Sequence, residues 1–317
     1  MPIPITVSVP ATSANLGPGF DCLGLALNLW NRAEFSLIEA GFSVEIEGFG
    51  ADTLPRTTEN LIVKSAYALY THLRTPAPAG LHIRCRNTFP PGSGLGSSSS
   101  AILLGLLGAN ALLDEPLTST EILSLANEIE GHPDNVTPAL LGGLTISTVK
   151  EGQVIARKIP VAPLSLAVVI PRFELSTHAA RAALPKQILM SDAVYNLGRA
   201  PLVVEALRTG DLPLLQQIME DRLHQPYRLP LYPGAQDAFE AARGAGASAV
   251  ALSGAGPGVI AFTDHKNTAQ QAVCAMGEAF RAARLEVWEC VTEVTEEGAR
   301  VETNSPSKNG LLGMEKV

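Results

Sequence analysis

Near the start of the chain Ile5, Val7 and Val9 alternate with Thr6 and Ser8, the two-residue period of a strand with one face buried. The same alternation returns at Leu81, Ile83 and Cys85 against His82, Arg84 and Arg86, and Val44 and Ile46 sit between glutamates in another such segment. An apolar run also occupies Leu23 to Leu29. Helical spacing takes over at Ile62, Ala66, Leu69 and Leu73, one face of a helix that stops before the breaker Pro76-Ala-Pro78. From Ala101 to Leu113 the chain is apolar on nearly every side, which predicts a buried helix. Thr118-Ser-Thr-Glu121 is a capping box, opening a helix with Ile122, Leu125, Ala126 and Ile129 on its inner face.

The texture changes at about residue 160. Leu164 to Ile170 reads as a continuous apolar strand, and helical, charge-rich stretches follow over roughly 175–245. Ala249–Ser253 and Val259–Thr263 are strands flanking Ser253-Gly-Ala-Gly-Pro-Gly258, with a helix from about Thr268 to Arg284 and a strand over Leu285–Thr292 behind them. That order fits a second, α+β sandwich domain. Residues 302–317 have no period and are expected to form a mobile tail.

Length and composition narrow the class. The chain has 317 residues, enough for two cores, and a net charge of −8 with 5% aromatics, so it lacks both the basic surface and the stacking platforms that nucleic-acid binding uses. Cys22, Cys85, Cys274 and Cys290 are widely spaced without any CxxC pair, the expectation for reduced core residues of a cytoplasmic protein. The N-terminus has no basic and apolar leader, and the Leu103–Leu113 run is far shorter than the roughly 20 residues that span a bilayer. Neither export nor membrane insertion is expected.

The chemistry concentrates in Pro90-Pro-Gly-Ser-Gly-Leu-Gly-Ser-Ser-Ser-Ser100, which leads directly into the apolar helix. A glycine-rich loop feeding a helix N-terminus points unpaired N–H groups and the positive end of the helix dipole at one place, a natural phosphate site. The segment lacks the Gly-Lys-Ser/Thr ending of a P-loop, and Gly94 and Gly96 are closer together than the dinucleotide fingerprint requires. On the glycines alone, a serine-rich surface turn explains it equally well. The serine hydroxyls add options: helix capping, phosphate contacts or a magnesium ligand. Elsewhere, Asn15 and Asp21 lie in a breaker-rich loop over 10–21, where local turn bonds are their ordinary task. Glu130-Gly-His-Pro-Asp-Asn135 crowds ionisable and polar groups at a helix exit, and Glu128 and Glu130 taken singly are metal ligands or a solvated face.

Taken together, the glycine-bearing segments at 10–21, 90–100 and 253–258 resemble, in order and spacing, the three motifs of the galactokinase, homoserine kinase, mevalonate kinase and phosphomevalonate kinase (GHMP) superfamily. Pro-x-x-x-Gly-Leu-Gly-Ser-Ser resembles its ATP-phosphate loop. Ser13-Ala-Asn-Leu-Gly-Pro-Gly-Phe-Asp21 is similar to the first motif of the homoserine kinase branch, as is Glu130-Gly-His-Pro-Asp-Asn-Val136 to a further segment of it. The likeness covers about residues 3–301. It implies an α+β, two-domain fold: a ribosomal-protein-S5-like ATP-binding domain over 1–160 and a ferredoxin-like domain over 161–301, with the active site between them.

The resemblance also implies residue roles. ATP would lie along Pro90, Pro91, Gly92, Ser93, Gly94, Leu95, Gly96, Ser97, Ser98, Ser99 and Ser100, with adenine near Asn60. Mg²⁺ would be held by Ser98 and by a glutamate aligned at Glu128, with Glu130 as the competitor. For L-homoserine, Asp21 would face the ammonium and Arg181 and Arg228 the carboxylate, with Asn15, His132 and Asn135 completing the pocket. Asn135 stands where several superfamily members carry an aspartate base. An amide cannot take the proton, so Asn135 would orient the hydroxyl, helped by Thr177, while positioning and charge neutralisation drive the transfer. A homodimer is a further implication. The alternatives are a superfamily kinase for another alcohol, or a non-catalytic sensor that kept the fold.

Overall fold

A computed structural model describes residues 4–173 and 175–303, without the side chains of Thr177 and Thr303. The expected tail from residue 304 onward lies outside the described residues.

The first sheet begins with β1 (Ile5–Ala14) and β2 (Leu23–Leu37), antiparallel, with a register shift between Pro10 and Ala11. β2 continues past Leu29 because Ala33 and Phe35 carry its buried face onward. β3 (Gly41–Gly48) runs parallel to its neighbour and therefore needs a crossover, which α1 (Leu61–His72) supplies before β4 (Gly80–Asn87). α2 (Ser97–Leu112) follows, then α3 (Ser119–Glu130) and α4 (Pro133–Leu141). The hairpin of β5 (Leu144–Lys150) and β6 (Gln153–Ile159) was not expected from sequence. Its turn residues Glu151 and Gly152 both have positive φ, 53° and 80°, the primed-turn geometry that suits strand twist. The hairpin exposes Val149 and Ile155, so its period is blurred.

β1 is buried on both sides rather than one. Thr6, Thr12 and Ser13 are all enclosed, and the last two turn out to face the functional loops. The helices cover the sheet through a core that includes Val7, Val9, Phe35, Leu69, Ile83, Leu103 and Ile122. As the pattern predicts, α2 is buried nearly all round. It crosses α1 so closely that a Cβ on Gly105 would lie 2.2 Å from the Ile62 carbonyl oxygen.

The second half opens with β7 (Ser165–Pro171), followed by α5 (Thr177–Ala182), α6 (Met190–Thr209), α7 (Leu212–Ile218), α8 (Gln225–Arg228) and α9 (Ala235–Gly244). β8 (Ala249–Leu252), β9 (Val259–Thr263), α10 (Lys266–Ala282) and β10 (Val287–Glu293) complete it. The antiparallel order β10-β7-β9-β8 is the ferredoxin-like order. One face is covered by α9 and α10. The other, with Leu166, Val168 and Phe262, shares a core with Leu16, Leu25, Phe89 and Leu95 of the first half. This common core holds the two domains together, and burying Leu95 there contributes roughly 2 kcal/mol of anchoring to the glycine loop.

The chain end departs from expectation. Residues 302 and 303, expected in the tail, join Arg300 and Val301 in β11 (Arg300–Thr303), antiparallel to β1. The first sheet thus takes an edge strand from beyond the second domain. All four cysteines are free, but Cys274 is exposed on α10 rather than in the core, while burial pushes the Cys85 thiol up to about 12. Among the described residues no helix is long and apolar enough to cross a membrane.

Candidate active site

Gly92, Gly94 and Gly96 all have positive φ, 65°, 80° and 65°. Only glycine enters that region without strain, and the space around the last two is closed as well. A Cβ on Gly94 would lie 2.2 Å from the Ser253 carbonyl oxygen, and one on Gly96 would lie 2.0 Å from Thr12 Oγ1. The helix starts at Ser97, four residues earlier than the apolar pattern suggests, with Gly96 as an N-cap that offers no side chain. Among the described residues, the amides of Gly94, Gly96, Ser97, Ser98 and Ser99 therefore have no acceptor, and the first acceptor bond of the helix is Ser100 N–H to Gly96 O. Such a cluster of orphan donors at a helix N-terminus is built for an anion.

The third glycine segment clamps this loop. Gly258 N–H donates to Ser93 O, Gly254 N–H donates to Ala14 O, and Ser253 Oγ donates to Gly94 O at 2.7 Å while lying 2.9 Å from Ser13 Oγ. Asn15 belongs to the same clamp: its amide donates to Gly254 O at 2.7 Å and accepts from Asp21 N–H at 3.0 Å. Asn15, Leu16 and Asp21 hold left-handed backbone, φ 70°, 46° and 55°. Non-glycine residues in that region cost about 1–3 kcal/mol each and concentrate at functional sites.

α3 ends at Gly131, φ 91°, which puts Glu130 in its last turn beside the serines. Ser98 and Ser99 hydroxyls donate to the two Glu130 carboxylate oxygens at 2.7 and 2.9 Å. Glu128 is exposed and, among the described residues, makes no hydrogen bond to the loop, so the packing of α3 on α2 brings Glu130 rather than Glu128 to the serines. Pro133 then opens α4 at its first position, where a missing N–H does no harm. His132, Asp134 and Asn135 turn into the same cleft. His132 Nδ1 lies 2.6 Å from Asp134 Oδ1. Burial opposes the imidazolium, but the hydrogen bond and charge of Asp134, with Glu130 and Asp21 behind, raise the His132 pKa. Asn135 Oδ1 accepts from Thr12 Oγ1 at 2.8 Å and its amide nitrogen lies 3.5 Å from Asp134 Oδ1, so one amide N–H is left for the cleft.

At the far end of the cleft Arg181 grips Asp21 through its two terminal guanidinium nitrogens, each at 2.9 Å. Arg228 is 2% exposed, and among the described residues no carboxylate is within ion-pair distance of it. Among the described residues, the hydrogen-bond partners of its guanidinium are the Ala180 carbonyl and His224 Nδ1, both at 3.4 Å. Burial, and then the like charge of Arg181, lower its pKa. A buried cation with only neutral partners is costly unless a ligand supplies the charge.

These groups line a polar cleft of about 140 Å³. A second, more apolar cavity of about 280 Å³ opens beside it, lined by Ile46, Leu54, Ile62, Pro91 and Leu104, and the two meet at Ser97 and Ser98. Asn60 lines this cavity as the N-cap of α1, its oxygen accepting from Ile62 N–H and its amide donating to Pro55 O. Of the other expected residues, Leu95 and Ser100 are buried away from the cleft, Ser99 is buried beneath it with its hydroxyl on Glu130, and Pro90 borders a different cavity. The Thr177 side chain lies outside the described residues.

The descriptions "GHMP kinases N terminal domain" and "GHMP kinases C terminal" match residues 60–143 and 203–282. The chain is 48% identical over 259 residues to a homoserine kinase of Moorella thermoacetica, covering 81% of this chain and 86% of that one. It is 45% identical over 290 residues to a homoserine kinase of Prochlorococcus marinus, covering 90% and 89%. The chain belongs to the homoserine kinase family of GHMP kinases. Among solved structures, the homoserine kinase of Cytophaga hutchinsonii superposes with a TM-score of 0.85 at 32% identity, over 95% of this chain and 98% of that one. L. major mevalonate kinase superposes with 0.70 at 19% identity, over 92% and 96%, a likeness of fold.

Relative to this homoserine kinase frame, sequence reasoning missed three groups in or under the cleft. Asp134 is a buried cleft carboxylate, and its signal was only its place inside the Glu130–Asn135 run. Thr12 and Ser253 gave no separate signal, since their roles come from contacts across 123 and 240 positions.

Proposed function

We propose that this chain transfers the γ-phosphoryl group of ATP to the side-chain hydroxyl of L-homoserine. The observation that carries the reading is the far end of the cleft. There a carboxylate, Asp21, and two guanidiniums, Arg181 and Arg228, stand together, one of them buried without an anion. An amino acid brings the complementary ammonium and carboxylate. Asp21 binds the former, while Arg228 and the planar fork of Arg181 bind the latter. Since Asp21 and Arg181 hold each other in this structure, substrate exchanges one ion pair for two.

At the near end the orphan loop amides take the nucleotide phosphates and the apolar cavity beside Asn60 takes the adenine. Ser98 and Glu130 are oxygen donors of the kind Mg²⁺ prefers, and one carboxylate with phosphates and waters is its usual shell. When bound, the ion neutralises phosphate charge. Asn135, with its oxygen committed to Thr12, donates its amide hydrogen to the acceptor hydroxyl and fixes its direction. His132 adds a hydrogen-bond donor, and the amides of Gly94 to Ser98 stabilise the charge of the transferring group.

The test is ADP formation with L-homoserine, mevalonate and galactose, repeated for Glu130→Gln and Glu128→Gln. Homoserine should be the preferred acceptor, Glu130→Gln should lower kcat at least tenfold, and Glu128→Gln should leave it unchanged. Equal turnover of mevalonate would reject the substrate, and the reverse ranking of the two glutamates would reject the ion site.

A further inference from the structure

Two like-charged guanidiniums point into one end of the cleft, and something must hold Arg228 there while no anion is present. The segment before it is rigid. Asp221 accepts the backbone N–H groups of Leu223, His224 and Gln225, and also the Asn196 amide. This sets His224, fully buried, with Nε2 2.8 Å from the Gly17 carbonyl. A carbonyl only accepts, so Nε2 carries the hydrogen. In the neutral ring Nδ1 is then the acceptor, and the Arg228 Nη1 donor lies 3.4 Å from it. Burial, which favours the neutral form, lowers the His224 pKa. The Phe20 ring stacks on His224, centroids 5.1 Å apart at 21°. The same ring underlies both guanidiniums, 5.2 Å from Arg228 and 5.7 Å from Arg181, an arrangement that attracts cations to the aromatic face.

We infer that His224 and Phe20 are positioning residues that set selectivity for an acceptor bearing a carboxylate, by fixing the Arg228 guanidinium between the Gly17 loop and the cleft. The inference rests on the substrate reading given above. It joins the first glycine loop to the second domain: Gly17 and Phe20 come from one, His224 and Arg228 from the other.

The experiment compares kcat/KM for L-homoserine with that for 3-aminopropan-1-ol, which keeps the ammonium and hydroxyl but has no carboxylate. The variants are His224→Asn, His224→Gln and Phe20→Leu. Asparagine keeps an acceptor near the Nδ1 position, whereas glutamine keeps the reach to Gly17 and loses that acceptor. For His224→Gln and Phe20→Leu the homoserine to aminopropanol ratio should fall about tenfold, through KM for homoserine, with KM for ATP within about twofold of wild type. His224→Asn should retain more of the ratio than His224→Gln, although glutamine is closer to histidine in size. A parallel loss with both acceptors, or an unchanged ratio in Phe20→Leu and His224→Gln alike, would overturn the inference. A wild-type enzyme without preference between the two acceptors would reject the substrate reading itself, and this inference with it.

Discussion

Alanine at Gly92 and alanine at Gly94 are the same chemical change in the same loop, at backbone angles of φ 65° and 80°. Left-handed backbone costs an L-residue roughly 1–2 kcal/mol. At Gly92 that is the whole penalty, because nothing lies within 4 Å of the added Cβ. At Gly94 the methyl would sit 2.2 Å from the Ser253 carbonyl oxygen and 3.2 Å from that of Gly256. Ser253 cannot retreat freely, since its hydroxyl holds Gly94 O and its N–H donates to Gly258 O at 2.8 Å. Overpacking of this kind adds about 1–3 kcal/mol, so Gly94→Ala should be less stable than Gly92→Ala by about that amount. It should also raise KM for ATP, because the loop amides shift with it. Urea unfolding followed by the fluorescence of Trp30 and Trp288, which lie on β2 and β10 of the two domains, measures the difference. A Gly94→Ala midpoint equal to or above that of Gly92→Ala would refute the picture of a loop pressed against the second domain.

Three further outcomes follow from the cleft. Because the His132 pKa is raised above 6.5 in the folded protein, its stabilising contribution is complete below that pH and fades as pH climbs through the folded value; the stability deficit of His132→Gln should therefore shrink from pH 6 to pH 9, and a constant deficit would contradict the Asp134 pairing. In an NMR titration towards low pH the His132 ring should take up its proton before an unperturbed imidazole would, and the buried His224 ring after it; protonation of His224 ahead of His132 would exclude the neutral tautomer assigned to it. Arg181→Lys replaces the two-pronged fork, seen here on Asp21, by a single contact to the substrate carboxylate, a loss of about 1 kcal/mol, and kcat/KM for homoserine should drop roughly fivefold; full activity would remove Arg181 from the carboxylate grip.

Local chemistry wrote much of this molecule into its sequence. The capping box at Thr118 and Glu121 is present as read, with Thr118 N–H donating to the Glu121 carboxylate at 2.8 Å. The all-apolar α2 is the buried helix that its composition demanded, and the glycine and serine run marks its N-terminus. These are legible because each depends on residues within one or two turns of each other. Short β11 and the outward-facing hairpin of β5 and β6 were not, since their strands are specified by partners rather than by their own period.

The choice between Glu128 and Glu130 shows where sequence stops. Two residues apart on a helix, their side chains point about 200° apart, so one had to meet the serines and one had to meet water, and only the packing of α3 on α2 selects Glu130. The pairing of Asp21 with Arg181 spans 160 positions, and the lack, among the described residues, of a carboxylate within ion-pair distance of Arg228 is a property of everything around it. Periodicity and motif, being short-range, named the chemical groups. Which of them share a cleft, and which charge is buried without an ion-pair partner among the described residues, is a long-range matter that the shared core between the two domains decides.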